Sequence, residues 1–147
     1  MANQVPYAFP VELLSGTHDF ASDTFKLALY TATPYTTAST VYVATTESSG
    51  TEYSAGGNTL TSNAVSNVAD IATVDFANSV WGSPTPATFS AAYGTIYNTS
   101  TSPVNKLVVV LDFGGTKACS NGTFTVTFPD PTSGSPSGAD ALLSITS

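Results

Sequence analysis

His18 and Asp19 stand side by side and are the first pair in the sequence that could do chemistry. A carboxylate next to an imidazole can orient the ring as a general base. No Gly-x-Ser-x-Gly segment supplies a nucleophile for such a base, and the single cysteine, Cys119, falls in a different predicted loop. We therefore expect His18 to be a turn histidine that caps its own segment.

Paired carboxylates offer a second chemistry, the hydrolysis of glycosides. It requires two acids about 5 to 10 Å apart across a cleft, and Asp75 with Asp112, or Asp112 with Glu52, could provide them if their strands are neighbours. An aspartate near the end of an apolar strand is more typical of a strand edge or a turn, and this is what we expect of Asp112. The Asp-Phe-Gly sequence that begins at Asp112 matches the magnesium motif of protein kinases, but the chain is too short for a kinase.

Two further pairs of aspartates could offer oxygens to a calcium ion. Asp19 and Asp23 precede a predicted strand, and Asp130 and Asp140 bracket a glycine-rich loop. Neither pair has the alternating Asp-x-Asp-x-Asp spacing of a calcium loop. The sequence leaves a structural calcium ion open and predicts no metal site.

One histidine and one cysteine limit the possible site classes. They cannot build a multi-ligand Cys/His zinc site, a disulfide within the chain or a Cys-x-x-Cys redox centre. Lys117 lies near Cys119, but no base accompanies the thiol, so we expect an unreactive loop cysteine. Together these observations predict no catalytic residue, no cofactor and no enzymatic activity.

The charge balance argues against two classes of partner. Ten carboxylates stand against three lysines and no arginine, which gives a net charge of −7. Without arginine the chain lacks a bidentate clamp for phosphate, and its negative field repels polyanions, so we expect no nucleic-acid partner. No apolar run approaches the length of about 18 residues that a membrane span requires. The first residues (MANQ) lack the basic and apolar regions of a signal peptide, so we expect synthesis in a cytoplasm and no membrane partner.

Hydrophobic residues make up 41% of the chain and aromatic residues 11%, which is enough for a folded core. Alternating apolar and polar positions, separated by glycine- and proline-rich turns, predict about eight strands and almost no helix. The predicted strands are 24–31, 40–44, 58–67, 71–77, 88–98, 106–113, 122–128 and 141–146. A short helical turn is expected at 11–16, where Gly16 would end it.

Three of these strands carry predictions about burial. Strand 24–31 should be half-buried, with its phenylalanine and leucines on one face. Strand 106–113 is apolar on both faces until Asp112, which predicts a central strand covered on each side. For strand 122–128, the residues expected in the core are Phe124, Val126 and Phe128, and those expected outside are Thr123, Thr125 and Thr127.

The order of elements predicts an all-β fold, a single-domain antiparallel β-sandwich of jelly-roll-like form over residues 11–147. Residues 1–10 are expected to form an N-terminal arm, with two prolines, two aromatic residues and no strand or helix period. An arm that was exposed to solvent and made no contacts would be polar. The candidate protein-interaction residues are therefore Val5, Tyr7, Phe9 and Pro10. The alternative is that the two aromatic residues fold back and cover the open end of the sandwich.

Six segments of the chain share their order and spacing with a known group of proteins. They are LLSGTHDF at 13–20, DTFKLALY at 23–30, Tyr-x-x-Gly-Gly-x-x-Leu at 53–60, Ala-x-Tyr-x-x-Ile-Tyr at 91–97, Leu-Asp-Phe-Gly-Gly-x-Lys at 111–117 and Gly-x-Phe-x-Val-x-Phe-Pro at 122–129. In this order they resemble a group of small tailed-bacteriophage structural proteins. The resemblance covers residues 13–129 and leaves the arm outside.

The resemblance implies a virion component without catalytic residues. It favours a capsid decoration, or cement, protein on the outer surface of the phage shell, where it stabilises capsomer junctions, with the major capsid protein as partner and with self-association. A tail component, either a tail-tube subunit or a fibre adaptor, is the alternative. A third interpretation is a carbohydrate-binding β-sandwich in which Trp81, Tyr93 and Tyr97 stack on sugars, although burial in the core explains these aromatics better.

Overall fold

The computed structural model describes residues 3–68, 71–101, 104–129 and 143–146. These residues form one helix and nine strands, and every pairing between strands is antiparallel. The elements are α1 (Ala8–Leu14), β1 (Phe25–Tyr30), β2 (Asn58–Thr59), β3 (Ala64–Val68), β4 (Ile71–Asp75), β5 (Ser79–Trp81), β6 (Ala87–Asn98), β7 (Lys106–Gly122), β8 (Phe124–Val126) and β9 (Leu143–Thr146). The prediction of an all-β, antiparallel domain is confirmed, whereas the jelly-roll arrangement stays a prediction.

The largest sheet has four strands in the order β2-β1-β6-β7. β1 pairs with β6 along its whole length, from Phe25 opposite Asn98 to Tyr30 opposite Tyr93. Two smaller sheets complete the described fold, one in the order β3-β4-β9 and one formed by β5 and β8. The long strands of the four-stranded sheet are thus the platform on which the other elements pack.

One face of the four-stranded sheet packs against a large aromatic core. Phe25, Leu27 and Leu29 of β1 contribute to this core and are fully buried. The residues that cover them include Phe9, Phe20, Phe76, Trp81, Phe124 and Phe128. The rings of Phe20 and Phe25 stack in parallel with 4.7 Å between their centroids. Helix α1 and the smaller sheets therefore share one core with the platform.

The other face of the same sheet is covered by the segment 31–57. Tyr30 of β1 is fully buried beside Tyr35 of that segment, and Tyr42 stacks on Tyr97 of β6 at 4.6 Å between ring centroids. The prediction that β1 is half-buried is wrong, because this segment folds back over its second face. The segment is rich in threonine and has little strand period, so the sequence pattern does not show where it lies.

β7 is the last strand of its sheet and not the central strand that its apolar run predicts. Single-residue pairings cover its outer edge. Gln4 exchanges two backbone hydrogen bonds of 2.8 Å with Val110, and Val41 forms a bridge with Lys106. The predicted cover on each side is confirmed, because Val108 and Val109 lie in the aromatic core while Leu107 and Val110 pack with the tyrosines on the other face.

The alternation predicted for 122–128 is confirmed. The side chains expected in the core, Phe124, Val126 and Phe128, are 8%, 8% and 6% exposed. The threonines between and before them, Thr123, Thr125 and Thr127, are exposed. Regular strand structure ends at Val126, but the backbone N–H of Phe128 donates to the side-chain oxygen of Asn78 at 2.9 Å, which holds the chain in register beyond the strand.

Several strand predictions are corrected. Segment 40–44 is not a strand and contributes only the single bridge at Val41. Segment 58–67 divides between β2 and β3, and β5, which is three residues long, is too short to give a pattern in the sequence. β7 extends past the predicted end at 113. Of the predicted strand 141–146, the last four residues form β9 and the first two lie outside the described residues.

Helix α1 begins inside the predicted arm, so the prediction that residues 1–10 contain no helix is wrong. The helix ends as Gly16 predicts. Gly16 has φ +74°, its N–H donates to the Leu13 carbonyl at 3.2 Å, and the Thr17 N–H donates to the Glu12 carbonyl at 2.8 Å. These two bonds form a Schellman motif. No helix within the described ranges is long and apolar enough to cross a membrane.

Candidate functional site

Helix α1 has an apolar face that points into solvent. Tyr7, at the N-cap, and the helix residues Val11 and Leu14 follow the i, i+4, i+7 spacing of one helix face. They are 73%, 68% and 89% exposed, which makes them the three most exposed large apolar residues of the described chain. Pro10 lies on the same side of the helix and is also exposed. We call these four residues the helix face.

A groove of about 860 Å³ lies beside the helix face. Pro10 and Leu14 line it on the helix side, and Val65 and Val74 line it on the side of the β3–β4 hairpin. Its other lining residues are mostly apolar, and Asp19 contributes the one carboxylate among them. The helix face therefore continues into the groove as one apolar surface.

The four predicted interaction residues separate into two environments. Tyr7 and Pro10 lie on the helix face, and Val5, 41% exposed, lines the groove. Phe9 is 4% exposed and packs edge-on against Phe20. The helix turns the Phe9 side chain toward the sheet, so Phe9 is a core residue and is not available to a partner.

His18 lies inside a buried polar network, and the prediction that it caps its own turn is wrong. Its side chain is fully buried. His18 Nε2 is 3.3 Å from Glu12 Oε2, and His18 Nδ1 is 3.2 Å from the side-chain nitrogen of Asn98. Glu12 Oε1 is 2.6 Å from Lys106 Nζ, and the Asn98 nitrogen also donates to Asp23 Oδ2 at 2.6 Å. We call these five residues the His18 network, and it joins α1 to the ends of β6 and β7.

The neighbours of His18 determine where its proton lies. The amide nitrogen of Asn98 can only donate, so His18 Nδ1 accepts and Nε2 carries the proton that is donated to Glu12. Burial lowers the pKa of His18 from its ordinary value of 6.5, and the hydrogen bond to Glu12 opposes this effect without cancelling it. The ring is therefore neutral at pH 7 and acts as a hydrogen-bonding link between the helix and the sheet.

Glu47 organises a second polar cluster along the edge of β1, where it forms a bridge with Tyr30. Glu47 Oε2 accepts from the Tyr42 hydroxyl at 2.6 Å, and Oε1 accepts from the Tyr53 hydroxyl at 2.7 Å and from the Gly56 N–H at 2.6 Å. The Tyr53 oxygen also accepts from the Leu29 N–H at 2.9 Å. Burial raises the pKa of Tyr53, which keeps the hydroxyl protonated and able to donate. This cluster holds the segment 31–57 on the sheet.

Asp19 and Asp23 lie close together, since the Asp19 N–H donates to Asp23 Oδ2 at 2.9 Å, whereas the other candidates for chemistry fall in different sheets, stand alone or lie outside the description. Asp75 is on β4 and Asp112 on β7, so they belong to different sheets. Cys119 is half-buried, with its Sγ 3.4 Å from a backbone carbonyl oxygen. Asp130 and Asp140 lie outside the described residues. Among the residues that are described, no group of three or more His, Cys, Asp or Glu side chains could hold a metal ion.

The aromatic residues considered for sugar stacking belong mainly to the interior. Trp81 and Tyr97 are each 3% exposed, and the Tyr97 hydroxyl donates to the Gly56 carbonyl at 2.8 Å. Tyr93 is half-buried. Burial in the core accounts for Trp81 and Tyr97, as the sequence interpretation favours.

Val11 and Leu14 are candidate site residues that the sequence interpretation missed, although a signal for them exists. Their spacing from Tyr7 is that of one helix face, but a helix predicted to start at residue 11 leaves Tyr7 out of the pattern. The His18 network has no such signal. Its members come from distant parts of the chain, since Asn98 follows His18 by 80 residues.

The chain was compared with known proteins at the level of families, sequences and structures. No protein-family model, no curated protein and no solved structure matches it. The candidate functional site is assigned from geometry, as the helix face and the groove beside it.

Proposed function

We propose that the protein is a structural component of a tailed-bacteriophage virion, a capsid decoration protein that binds the outer face of the shell and stabilises the junctions between capsomers. The observation that carries the proposal is the helix face, where Tyr7, Val11 and Leu14 are 68% to 89% exposed. A monomer rarely leaves such residues together in water, and contiguous exposed apolar surface marks a contact with another protein. The partner in this proposal is the major capsid protein.

Two properties of the sequence support the same function. The segments between residues 13 and 129 resemble small tailed-phage structural proteins in order and spacing. The net charge of −7 favours the outer surface, because an acidic protein inside the shell would be repelled by packaged DNA. A decoration protein acts through binding energy that is summed over many copies, and it requires no catalytic group.

The test of the proposal is the binding of a double variant, Val11→Asp with Leu14→Asp, to undecorated shells. Each carboxylate would lose water at the contact without gaining a partner, so the affinity should fall about a hundredfold or more. The matched control is Val80→Asp, which changes a valine on β5 that is 44% exposed and lies away from the groove lining. Thermal melting of each free variant checks that the fold is retained.

Two results would contradict the proposal. Unchanged affinity of the double variant would show that the helix face does not contact the shell. Wild-type protein that binds isolated tails and not shells would replace the decoration function with that of a tail component. Counting copies per particle distinguishes these locations, since a shell protein is present in hundreds of copies and a fibre adaptor in far fewer copies.

A further inference from the structure

The His18 network lies on the inner side of helix α1 and supplies the polar contacts that tie the helix to the sheet. Glu12 is the helix residue in the network, and its two oxygens contact Lys106 at 2.6 Å and His18 at 3.3 Å. The Phe9 ring lies against the imidazole, with 5.2 Å between ring centroids. Contacts with the imidazole are therefore part of what holds helix α1 on the sheet.

A second proton on His18 would have no acceptor. His18 Nδ1 faces the side-chain nitrogen of Asn98 at 3.2 Å, and that nitrogen is itself a donor. Asn98 is held in this orientation, because its oxygen accepts from the Ser100 N–H at 2.8 Å and its nitrogen donates to Asp23 at 2.6 Å. Protonation would thus place two donors against each other in a buried site.

The charged groups that face the ring come from three parts of the fold. Glu12 on α1 and Asp23 in the turn before β1 favour the protonated ring, and Lys106 on β7 disfavours it. Burial disfavours the protonated ring more strongly than the carboxylates favour it, so the pKa of His18 in this position is lowered. A histidine exposed to water has a pKa of about 6.5.

We propose that His18 is a proton-sensitive contact: its neutral ring holds helix α1 on the sheet, and acidification below about pH 6.5 releases the helix. The inference goes beyond the proposed function, and only its consequence for the shell, a docking of the helix face that depends on pH, rests on that function. The direction follows from proton binding. An exposed His18 binds a proton more tightly than the buried one, so acid favours release, by up to about tenfold for each pH unit below 6.5.

The experiment is NMR of the free protein between about pH 7 and pH 5.5, a range in which His18, the single histidine, has its ordinary pKa. The reporters are the amides of Gly16 and Thr17, whose bonds to helix carbonyls are lost when a released helix of seven residues unwinds. Their hydrogen-exchange protection factors should stay constant above about pH 6.5 and fall about tenfold by pH 5.5. The amide of Ile96, on β6 between β1 and β7, should keep its protection.

The control variant is His18→Gln, which does not titrate but still offers one acceptor and one donor. Its helix amides should be equally protected at both pH values. If the variant does not fold, the pH dependence of the wild type decides the question, because its loss of protection should begin near pH 6.5. Constant protection of Gly16 and Thr17 through the wild-type titration would overturn the inference, as would an equal loss of protection in His18→Gln.

Binding to undecorated shells at the two pH values separates this inference from the proposed function. Release of the helix in acid without shell binding at either pH would support the proton-sensitive contact and contradict the decoration function. Equal shell binding at both pH values with constant helix protection would contradict the contact and leave the decoration function in place.

Discussion

The two sides of helix α1 both carry apolar residues, but the inner side is buried in the core and the outer side is exposed to solvent. Phe9, on the inner side, is 4% exposed, and Leu13 packs against the same core. Val11 and Leu14, close by in sequence, are 68% and 89% exposed. Apolar composition therefore does not decide which side of a short helix is buried, since the position of the sheet decides it. The outer side keeps an apolar surface that the described chain does not cover, and this is the reason to assign it an external partner.

The largest expected effect is a difference in the free energy of unfolding between substitutions on the two sides of helix α1. Phe9→Ala removes a buried ring and should lower the free energy of unfolding by about 3–5 kcal/mol. Val11→Ala should lower it by less than about 0.5 kcal/mol, because the valine is mostly in water. Urea titration of both variants measures the contrast. Similar losses would mean that the outer side is buried in the free protein, as it would be in a self-associated form.

The same contrast should hold on a strand. Phe124 is 8% exposed and belongs to the aromatic core, whereas Thr125 faces solvent. Phe124→Ala should cost about 3–5 kcal/mol and Thr125→Ala less than about 1 kcal/mol. A costlier threonine substitution in the same titration would show that the side chains of β8 point the other way.

A smaller effect tests whether hydroxyl groups, and not only rings, hold the segment 31–57 on the edge of β1. Tyr53→Phe keeps the ring but leaves the Leu29 N–H without its acceptor and removes one of the three donors to Glu47. The expected loss is about 1–3 kcal/mol. Tyr7→Phe is the matched control, since Tyr7 is 73% exposed, and it should change stability by less than about 0.5 kcal/mol. Equal melting temperatures for the two variants would contradict the role given to the Glu47 cluster.

The smallest expected effect concerns the end of the helix. Gly16 has φ +74°, a conformation that alanine adopts at a cost, so Gly16→Ala should lower stability by about 1 kcal/mol. Gly16→Asn should recover part of this loss, because asparagine tolerates the left-handed region. Thermal melting compares the two, and an alanine variant as stable as the wild type would show that the helix ends differently in solution.

The predictions that succeeded rest on local patterns. The alternation that includes Phe124 and Val126 is that of a strand with one solvent-exposed face. The period of two is sufficient to show which side chains point into the core. Gly16 marks the end of the helix by its own conformational preference. Such signals lie within a few residues and can be found without knowing what packs on the element.

The predictions that failed depend on what covers each element. β1 is buried on both faces because a segment with little strand period lies on it, and β7 is an edge strand whose outer side is covered by Gln4 and Val41. His18 joins Glu12 and Asn98 in a network that no spacing in the sequence predicts. These contacts join distant parts of the chain, so only the fold reveals them.

The most direct test of the helix face as the docking surface is a labelling measurement on the bound protein. A cysteine is placed at the helix face by Leu14→Cys in a Cys119→Ser background, and at a control position by Val80→Cys in the same background. The rate of alkylation is compared between free protein and protein bound to undecorated shells. Burial at the contact predicts that labelling at position 14 slows about tenfold or more on binding, while labelling at position 80 is unchanged. Equal labelling of position 14 in the free and the bound protein would contradict the account.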